Sequence, residues 1–357
     1  MPVKDLVVDA RMLHASGIGT YIDNLLPLIS EKSHDLTFDI ICRPQDTSKI
    51  SQNTIPNNSA IYSISEQFTL LNRQSMKAGL FWSPHYNIPV FLPAKLLVTI
   101  HDVFHLAMPD FIEGMHKRLY ARMMFSAVKH KASHVICVSE FTKSELIRLT
   151  DINPDKVTVI YNGVAKEWFS IKRTDHPYHK PYLLFVGNIK PHKNLSSLLQ
   201  AFTLLKDEIP HDLVIVGNNK GFITEDRNVM QYAQALGNRV FFTGYVDDAL
   251  LKLYFAHADC FVFPSLYEGF GLPPLEAMAC GCPTLVSNIA SLPEVCGDAA
   301  LYCDPYDTED IRAKIMLLLG SPSLRNALVT KGRERAKSFS WDVAAVKTLD
   351  IINQFIE

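Results

Sequence analysis

The strongest constraint on the fold of this chain is a repeated alternation of short apolar runs with longer segments of helical periodicity. Short apolar runs are typical of buried strands in parallel sheets, which helices cover on both faces. The alternation occurs in two successive series, and it therefore predicts two α/β domains. The length of 357 residues agrees with this, since a single hydrophobic core rarely serves a chain of that size.

The two series are separated by a polar stretch over residues 172–180, which contains prolines and predicts a linker. In the first series the predicted strands cover 6–9, 38–42, 79–83, 95–100, 134–138 and 157–160, and the main helices cover 19–30 and 117–131. In the second, strands are predicted at 182–186, 212–216, 240–243, 260–264 and 284–287, and helices at 194–206, 228–236, 248–256 and 274–279. The expected domains are 1–170 and 171–339, with a C-terminal helix in 340–357 that crosses back to the first.

Composition and charge narrow the classes of function. The formal net charge is −2 and the sequence pI is near 6.7, whereas proteins that bind nucleic acid usually carry a positive excess. No run approaches the ~18 apolar residues of a membrane-spanning helix, and the start does not resemble a signal peptide. The seven cysteines have no zinc-ligand spacing, so we expect reduced thiols in a cytoplasmic protein.

One loop carries most of the chemical information. An apolar strand ends near Phe263, a loop with two glycines follows, and prolines and Gly281 bracket a short helix. The backbone N–H groups of residues 269–272 are expected to point outward from the helix N-terminus, an arrangement that receives a diphosphate. The glycines allow an anion to approach the backbone closely.

Two acids lie in this segment, Glu268 in the loop and Glu276 in the helix. A carboxylate can accept hydrogen bonds from vicinal hydroxyls, so one could hold a donor sugar and the other a ribose. Taken singly, each also fits a structural interpretation, with Glu268 as a solvated loop acid and Glu276 as an acid stabilised by the helix dipole.

Considered together, the motifs resemble the family 4 retaining glycosyltransferases, whose fold is GT-B. The Glu-x7-Glu segment resembles the signature of that family, and the loop through residues 286–300 is similar to the family's next loop. The resemblance extends over nearly the whole chain and rests on an ordered set of segments at residues 9–11, 17–21, 83–86, 100–102, 138–141 and 162–164.

The resemblance implies roles for individual residues. Glu268 is expected to contact hydroxyls of the donor sugar, Glu276 the ribose, and Lys193 the leaving diphosphate, whose negative charge a fixed cation stabilises without a metal. His101, at the end of a strand, is expected to contact the donor sugar near the reaction centre. The catalytic residues predicted are thus His101, Glu268 and Lys193, and the predicted donor-binding residues are Gly17, Gly19, Asn188, His192, Val246, Gly269, Phe270, Gly271, Leu272 and Glu276.

The chain departs from many relatives where they carry an arginine directly after Gly187. Asn188 occupies that position, which leaves His192 or Lys190 as the second cation for the diphosphate. The backbone at Val246, after Gly244, resembles the loop that meets the nucleobase, a contact that discriminates poorly between bases.

Two rival interpretations are weaker. His101, Asp102 and His105 could be metal ligands, but the spacing of the histidines suits a metal only on a helix, and this stretch follows a strand. The glycines at 17 and 19 could suggest a dinucleotide fold, but the third glycine of that fingerprint is absent from the sequence. We therefore expect neither a metal nor another cofactor.

The segment 115–131 combines basic and apolar residues. This pattern is typical of a core helix with a solvated basic face, and it also occurs in helices that contact membranes. Both interpretations stay open, so a peripheral contact with the inner face of the cell membrane is one expected partner interaction.

The fold predicted is α/β, with two Rossmann-like doubly wound domains facing across a cleft. The second domain is expected to bind a nucleotide diphosphate sugar and the first a glycan or lipid-linked acceptor. By the resemblance, the reaction transfers a hexose, of mannose or related type from a GDP-sugar, with retention, in surface polysaccharide assembly. The alternatives are a non-catalytic nucleotide-sugar binding protein and a GT-B epimerase.

Overall fold

The computed structural model describes residues 4–33, 35–171, 175–217 and 227–356. The chain forms two compact units. The first comprises Met1–Gly163 together with Ser340–Glu357, and the second comprises Val164–Phe339.

Among the described residues of the first unit, seven parallel strands form one sheet in the order β3-β2-β1-β4-β5-β6-β7. The pairing is in continuous register, as in Lys4↔Leu36 between β1 and β2 and Leu97↔His134 between β5 and β6. The strands are β1 (Lys4–Asp9), β2 (Leu36–Cys42), β3 (Asn53–Pro56), β4 (Leu80–Ser83), β5 (Lys95–Ile100), β6 (His134–Cys137) and β7 (Val157–Val159).

The helices of this unit cover the sheet. In chain order they are α1 (Ser16–Lys32), α2 (Ile64–Thr69), α3 (Arg73–Lys77), α4 (Phe104–Ala107), α5 (Met115–Lys131) and α6 (Glu140–Thr150). The last helix of the chain, α14 (Trp341–Phe355), also belongs here. It packs on α1, where the Trp341 ring lies edge-on to Tyr21 at 5.9 Å and Asp342 pairs with Lys32 at 3.3 Å.

The second unit contains, in its described part, six parallel strands in the order β10-β9-β8-β11-β12-β13. The strands are β8 (Tyr182–Val186), β9 (Asp212–Val216), β10 (Val240–Gly244), β11 (Cys260–Phe263), β12 (Thr284–Ser287) and β13 (Leu301–Cys303). The helices are α7 (Leu195–Leu205), α8 (Arg227–Leu236), α9 (Asp248–His257), α10 (Leu272–Ala279), α11 (Leu292–Cys296), α12 (Thr308–Gly320) and α13 (Pro322–Lys337).

The core of the second unit follows from its sequence pattern. Every residue of β8 and β9 is buried, as expected for central strands covered on both faces. On α7, Leu195, Leu198, Leu199, Phe202 and Leu205 recur at helical spacing and are all buried. This apolar stripe packs on the sheet and leaves the strand ends to carry polar groups.

The predicted elements agree closely with the observed ones where the apolar pattern is strong. The strands at 95–100, 182–186, 212–216 and 284–287 have the predicted bounds. The short strands β3 and β13 and the helices α12 and α13 were missing from the prediction. The predicted helix at 274–279 begins two residues earlier, at Leu272.

The polar stretch 172–180 lies within the second unit. Residues 172–174 are outside the described residues, while Tyr178 donates a hydrogen bond to Asp212 at 2.8 Å and Lys180 pairs with the same carboxylate at 3.0 Å. The chain passes between the units at Gly163 and again at Phe339.

Both sheets have a point where the strand order reverses. In the first unit it lies between β1 and β4, and in the second between β8 and β11. Open α/β sheets bind their ligands in the crevice beyond the carboxyl ends of such a strand pair. We therefore expect functional side chains in the loops that follow β1, β4, β8 and β11.

Candidate functional site

The loops after β8 and β11, at the reversal point of the second sheet, bring two predicted catalytic residues into contact. Lys193 Nζ lies 2.6 Å from Glu268 Oε1, and the side chains are only 19% and 12% exposed. The ammonium also lies 5.4 Å from the centre of the Phe263 ring. A cation and a carboxylate, both largely shielded from water, thus sit together at the end of the sheet.

Asn194 holds these two loops in place. Its backbone has a φ of +58°, a left-handed conformation that asparagine tolerates better than most residues. Its side-chain amide donates to the carbonyls of Pro264, at 3.0 Å, and Pro305, at 2.7 Å. The Leu266 amide donates to the His192 carbonyl at 2.7 Å. The loop after β8 is therefore anchored to the loop after β11, and this fixes Lys193 against Glu268.

The side chain of Ser291 forms a hydrogen bond with the backbone of the glycine-containing loop after β11. Ser291 Oγ lies 2.9 Å from the carbonyl oxygens of both Glu268 and Phe270 and can donate its one proton to either. Ala290, just before it, has a φ of +58°, which is strained for a residue with a Cβ. The sequence prediction gave no role to Asn194 or Ser291, and the positive φ values at Asn194 and at Ala290, before Ser291, are not visible in residue types alone.

The loop leads directly into α10. Gly271 caps the helix with a φ of +105°, a conformation that side chains rarely adopt, and an added Cβ would lie 2.8 Å from Leu292 Cδ2. Pro273 lies in the first turn, which contains no acidic residue, and among the described residues no side-chain hydrogen bond caps this end of the helix. Phe270 is 4% exposed and packs edge-on to Phe339. The predicted donor-binding residues Gly269, Phe270, Gly271 and Leu272 thus form one continuous segment.

Glu276 is on α10 and half-buried. Burial raises the pKa of its carboxyl to about 8, the negative charge of Asp248 adds to the rise, and Lys252 opposes it. No hydrogen bond or ion pair joins the carboxyl to another side chain in the described part of the chain. The group is a desolvated acid with unused hydrogen-bonding capacity.

The remaining predicted residues of this unit lie around the same edge. Asn188 is exposed in the loop after β8, and its carbonyl accepts from the Lys190 amide at 3.0 Å. Val246 is half-buried in the loop after β10, beside Tyr245, which is 82% exposed. β10 is separated from β8 by β9, so Val246 lies farther along the edge than Lys193.

His101 belongs to the first unit and directly follows the strand β5. Its Nε2 donates to the Pro84 carbonyl at 2.9 Å, and its ring lies edge-on to Tyr21 of α1 at 4.9 Å. Burial lowers the pKa of His101 to about 4, although the Pro84 carbonyl and the charge of Asp102 act in the opposite direction. The ring is therefore neutral at pH 7, and its Nδ1 is a hydrogen-bond acceptor.

Gly17 and Gly19 lie in the first turn of α1, the helix that carries Tyr21. A Cβ at position 19 would lie 2.3 Å from the Leu13 carbonyl oxygen, so only glycine fits there. A Cβ at position 17 would meet nothing within 4 Å, and packing gives no reason for that glycine. Over the described residues, no group of three or more His, Cys, Asp or Glu could hold a metal ion.

Comparison with known families and proteins gives matches over most of the chain. The family described as Glycosyltransferase Family 4 matches residues 15–168, and the one described as Glycosyl transferases group 1 matches residues 166–335. O-antigen chain mannosyltransferase B of Escherichia coli is 32% identical over 77% of this chain and 74% of its own.

A second relative is longer. The serotype-specific mannosyltransferase WbdA of Escherichia coli is 33% identical over 70% of this chain, but the match spans only 32% of the WbdA chain.

Two solved structures share the fold at lower identity. Sucrose-phosphate synthase from Thermosynechococcus elongatus has a TM-score of 0.77 and 20% identity, over 98% of both chains. Anabaena HepE, solved with UDP and glucose, has a TM-score of 0.80 and 14% identity, over 98% of this chain and 100% of its own.

Proposed function

Because this chain belongs to the family 4 glycosyltransferases and has the GT-B fold, we propose that it transfers a hexose with retention from a nucleotide diphosphate sugar to a glycan or lipid-linked acceptor. The names of the mannosyltransferase relatives support mannose or a related sugar from a GDP-sugar, and a role in surface polysaccharide assembly. The observation that carries the proposal is the contact of Lys193 with Glu268 beside the N-terminal end of α10.

The second unit would bind the donor. The diphosphate lies against the amides of residues 269–272, whose partial positive charge and glycine content suit an anion. Lys193 supplies a full positive charge, and His192 or Lys190 a second. Glu268 accepts hydrogen bonds from the sugar and Glu276 from the ribose, while the backbone at Val246 contacts the base.

In the transfer step, the acceptor oxygen forms a bond to the anomeric carbon on the face from which the diphosphate departs. The bond between that carbon and the diphosphate oxygen breaks, and the electron pair leaves with the oxygen. A phosphate oxygen takes the acceptor's proton. Lys193 lowers the barrier because it lies where this negative charge develops, and no metal is needed for that role.

His101 is proposed to contact the donor sugar. As a neutral imidazole whose Nε2 proton is committed to Pro84, it presents Nδ1 as an acceptor to a sugar hydroxyl. Gly17 and Gly19 would let backbone approach the donor closely. Loss of transfer with retained nucleotide-sugar binding in His101→Ala would support this role.

A panel of nucleotide sugars tests the donor assignment. A ligand at a hundredfold its Kd adds about 2.7 kcal/mol to the free energy of unfolding and so raises the melting temperature. Because the relatives are mannosyltransferases, we expect GDP-mannose to raise it more than UDP-glucose. Stabilisation by none of the panel would contradict the proposal. A free nucleotide released only when an acceptor is present identifies a transferase, whereas binding without turnover identifies a binding protein, and a changed sugar on an intact nucleotide an epimerase.

We also propose that α5 rests on the membrane surface. Met115, Leu119 and Met123 lie at helical spacing and are 76%, 66% and 54% exposed, next to exposed Lys117 and Arg122. Basic amphipathic helices of this kind bind anionic lipid. No described helix is long and apolar enough to span a bilayer.

Co-sedimentation with vesicles of phosphatidylcholine containing a quarter phosphatidylglycerol tests this contact. Binding that weakens with salt and is lost in Leu119→Ser would support it. Equal binding by wild type and Leu119→Ser would contradict it.

A further inference from the structure

Three aromatic rings form a stack that runs from the core of the first unit to its surface. Phe125 of α5 is 1% exposed, and the ring of Tyr86 stacks on it at 4.7 Å. The ring of Tyr62 stacks on Tyr86 at 5.7 Å with an angle of 27° between the planes, and it is 44% exposed. Tyr120 meets Tyr62 edge-on at 6.1 Å. The outer end of the stack is a supported tyrosine open to solvent.

The stack lies at the reversal point of the first sheet. Tyr86 is in the loop that follows β4, which is one of the two strands flanking that crevice. Asp102 lies two residues beyond the end of β5, the next strand along, and accepts a hydrogen bond from the Phe104 amide at 2.9 Å. The ring of His105, next to Phe104, lies 5.6 Å from the ring of Tyr86. The position is where open α/β sheets bind ligands.

A buried polar network holds Tyr86 and Tyr120. His85 Nδ1 accepts from the Asn87 amide at 3.2 Å, so its Nε2 carries the proton and donates to Asp9 at 3.3 Å. The Asn87 side-chain amide donates to Glu66. The Tyr120 hydroxyl lies within hydrogen-bond distance of Glu66, at 3.2 Å, and of Asn87 Oδ1, and it can donate its one proton to either. Both neighbours of Tyr86 in sequence are thereby fixed.

Arg11 is the cation of this network and pairs with both of its carboxylates. Arg11 donates to Asp9 at 2.6 Å and to Glu66 at 3.0 Å, and these side chains are fully buried. A satisfied buried network is rigid, so the rings that rest on it have little freedom to move.

Tyr62 itself is held in a conformation that costs energy. Its φ of +66° lies in the left-handed region, where bulky residues are genuine outliers. Partial burial against its neighbours raises the pKa of Tyr62, and the negative charge of Asp102 adds to the rise, so the phenol is neutral at pH 7. A strained, exposed and supported ring at a ligand-binding edge indicates a function for that ring.

We propose that Tyr62, Tyr86 and Asp102 form the subsite that binds a pyranose ring of the acceptor. This rests on the proposed function and names the residues that would recognise the acceptor. The apolar C–H face of a pyranose packs on the exposed face of Tyr62, as apolar ligand surfaces do on aromatic rings. The Asp102 carboxylate accepts hydrogen bonds from the ring's hydroxyls and so selects a sugar over a purely apolar ligand.

Three substitutions of Tyr62 distinguish the effect of its aromatic ring on pyranoside binding from the effect of its backbone conformation. Tyr62→Phe keeps the aromatic face, Tyr62→Ala removes it, and Tyr62→Gly removes it while also relieving the strained φ, since glycine adopts positive φ readily. Phe91→Ala removes another exposed aromatic ring of the same unit and serves as the control, because Phe91 is 67% exposed. Thermal unfolding checks that all four fold.

The probes are methyl α-mannoside, methyl α-glucoside and methyl α-galactoside, followed by saturation-transfer NMR on the full chain. We expect at least one to receive saturation from wild type, Tyr62→Phe and Phe91→Ala. The signal should fall by ~10-fold or more in both Tyr62→Ala and Tyr62→Gly. Asp102→Asn should weaken binding without abolishing the contact of the C–H face.

Donor binding is measured separately in the same variants. Binding of none of the pyranosides to wild type, or equal binding to Tyr62→Ala and wild type, would overturn the subsite. If pyranosides bind through Tyr62 while no nucleotide sugar binds, the proposed transferase function fails, and Tyr62 belongs to a pyranose-binding site that is not an acceptor subsite. A variant that loses both ligands together would show a general structural effect and would also overturn the subsite.

Discussion

Lys193 and Glu268 are 75 positions apart in sequence, and their charged atoms lie 2.6 Å apart at the ends of β8 and β11. The pair means that the cation proposed for the diphosphate and the acid proposed for the sugar are fixed by each other. In this arrangement the positive charge does not have to be ordered during the reaction, and preorganised charge is the main source of electrostatic catalysis.

Removal of the Lys193 charge should therefore affect transfer more than binding. We expect Lys193→Ala to lower kcat by about 10²–10³-fold, the usual cost of losing one group that stabilises developing negative charge. Steady-state transfer with the donor that stabilises the protein measures it. Lys337→Ala, which removes an exposed lysine paired with Glu334, is the control and should leave kcat unchanged. Equal rates in Lys193→Ala and wild type would refute the role of Lys193.

The Glu276 carboxyl should make stability depend on pH. Burial raises its pKa from an ordinary value of 4.5 to about 8, so the folded state holds the proton more tightly than the unfolded state. That stabilising contribution is complete below pH 4.5 and is lost as the pH rises through about 8. Relative to Glu276→Gln, wild type should lose on the order of 1–3 kcal/mol over this window, measured by urea unfolding. Parallel pH profiles for the two proteins would contradict the assignment.

The same proton should be released when a nucleotide sugar binds. If the charged carboxylate accepts the ribose hydroxyls, affinity should fall as the pH decreases below about 8, and Glu276→Gln should show a lower affinity with little pH dependence. Calorimetry in buffers of different ionisation enthalpy measures the proton count. Undiminished affinity in Glu276→Ala would show that the ribose does not contact this residue.

The cap of α10 should tolerate no side chain. Gly271→Ala forces a residue with a Cβ into a φ of +105°, and we expect a loss of about 1–3 kcal/mol in the free energy of unfolding. Gly320→Ala is the matched control, because its Cβ would meet nothing within 4 Å at the end of α12. That substitution should be neutral or stabilise by up to about 1 kcal/mol. Comparable losses in the two variants would show that the backbone conformation at Gly271 is not what matters.

The buried charges of the first unit should be costly to break. Glu66→Ala leaves Arg11 without one of its two carboxylates and the Asn87 side-chain amide without its acceptor, so we expect a loss of about 3–5 kcal/mol. Glu334→Ala breaks a surface pair and should cost less than about 1 kcal/mol. Denaturant unfolding compares them. The network also affects acid stability, because Arg11 holds the pKa of Asp9 well below its usual range despite burial.

Asp9 contributes stability above its unfolded pKa, and this stability is lost as the pH falls. Glu66→Ala keeps Arg11 next to Asp9 and should retain that acid transition. Arg11→Met should remove it. An acid transition of unchanged size in Arg11→Met would contradict the assignment of the Asp9 shift to Arg11.

The amino-acid sequence alone was enough to predict the class of fold and several of its strands. Apolar periodicity is a local property, so β5, β8, β9 and β12 could be predicted to the residue. The family resemblance was also readable, because the motifs occur in order along the chain. Short strands such as β3 and β13 carry too few residues for a periodic signal, and their place depends on the neighbouring strand.

Which side chains meet became visible only in the folded chain. Three contacts join elements that are distant in sequence: Lys193 with Glu268, the Asn194 amide with the Pro264 carbonyl, and Tyr62 with Tyr86. The desolvation of Glu276 also depends on such elements. Their energies depend on distance and on exclusion of water, which residue types and spacing do not specify. A sequence pattern can name a charged residue, but its partner and its pKa are set by the tertiary structure.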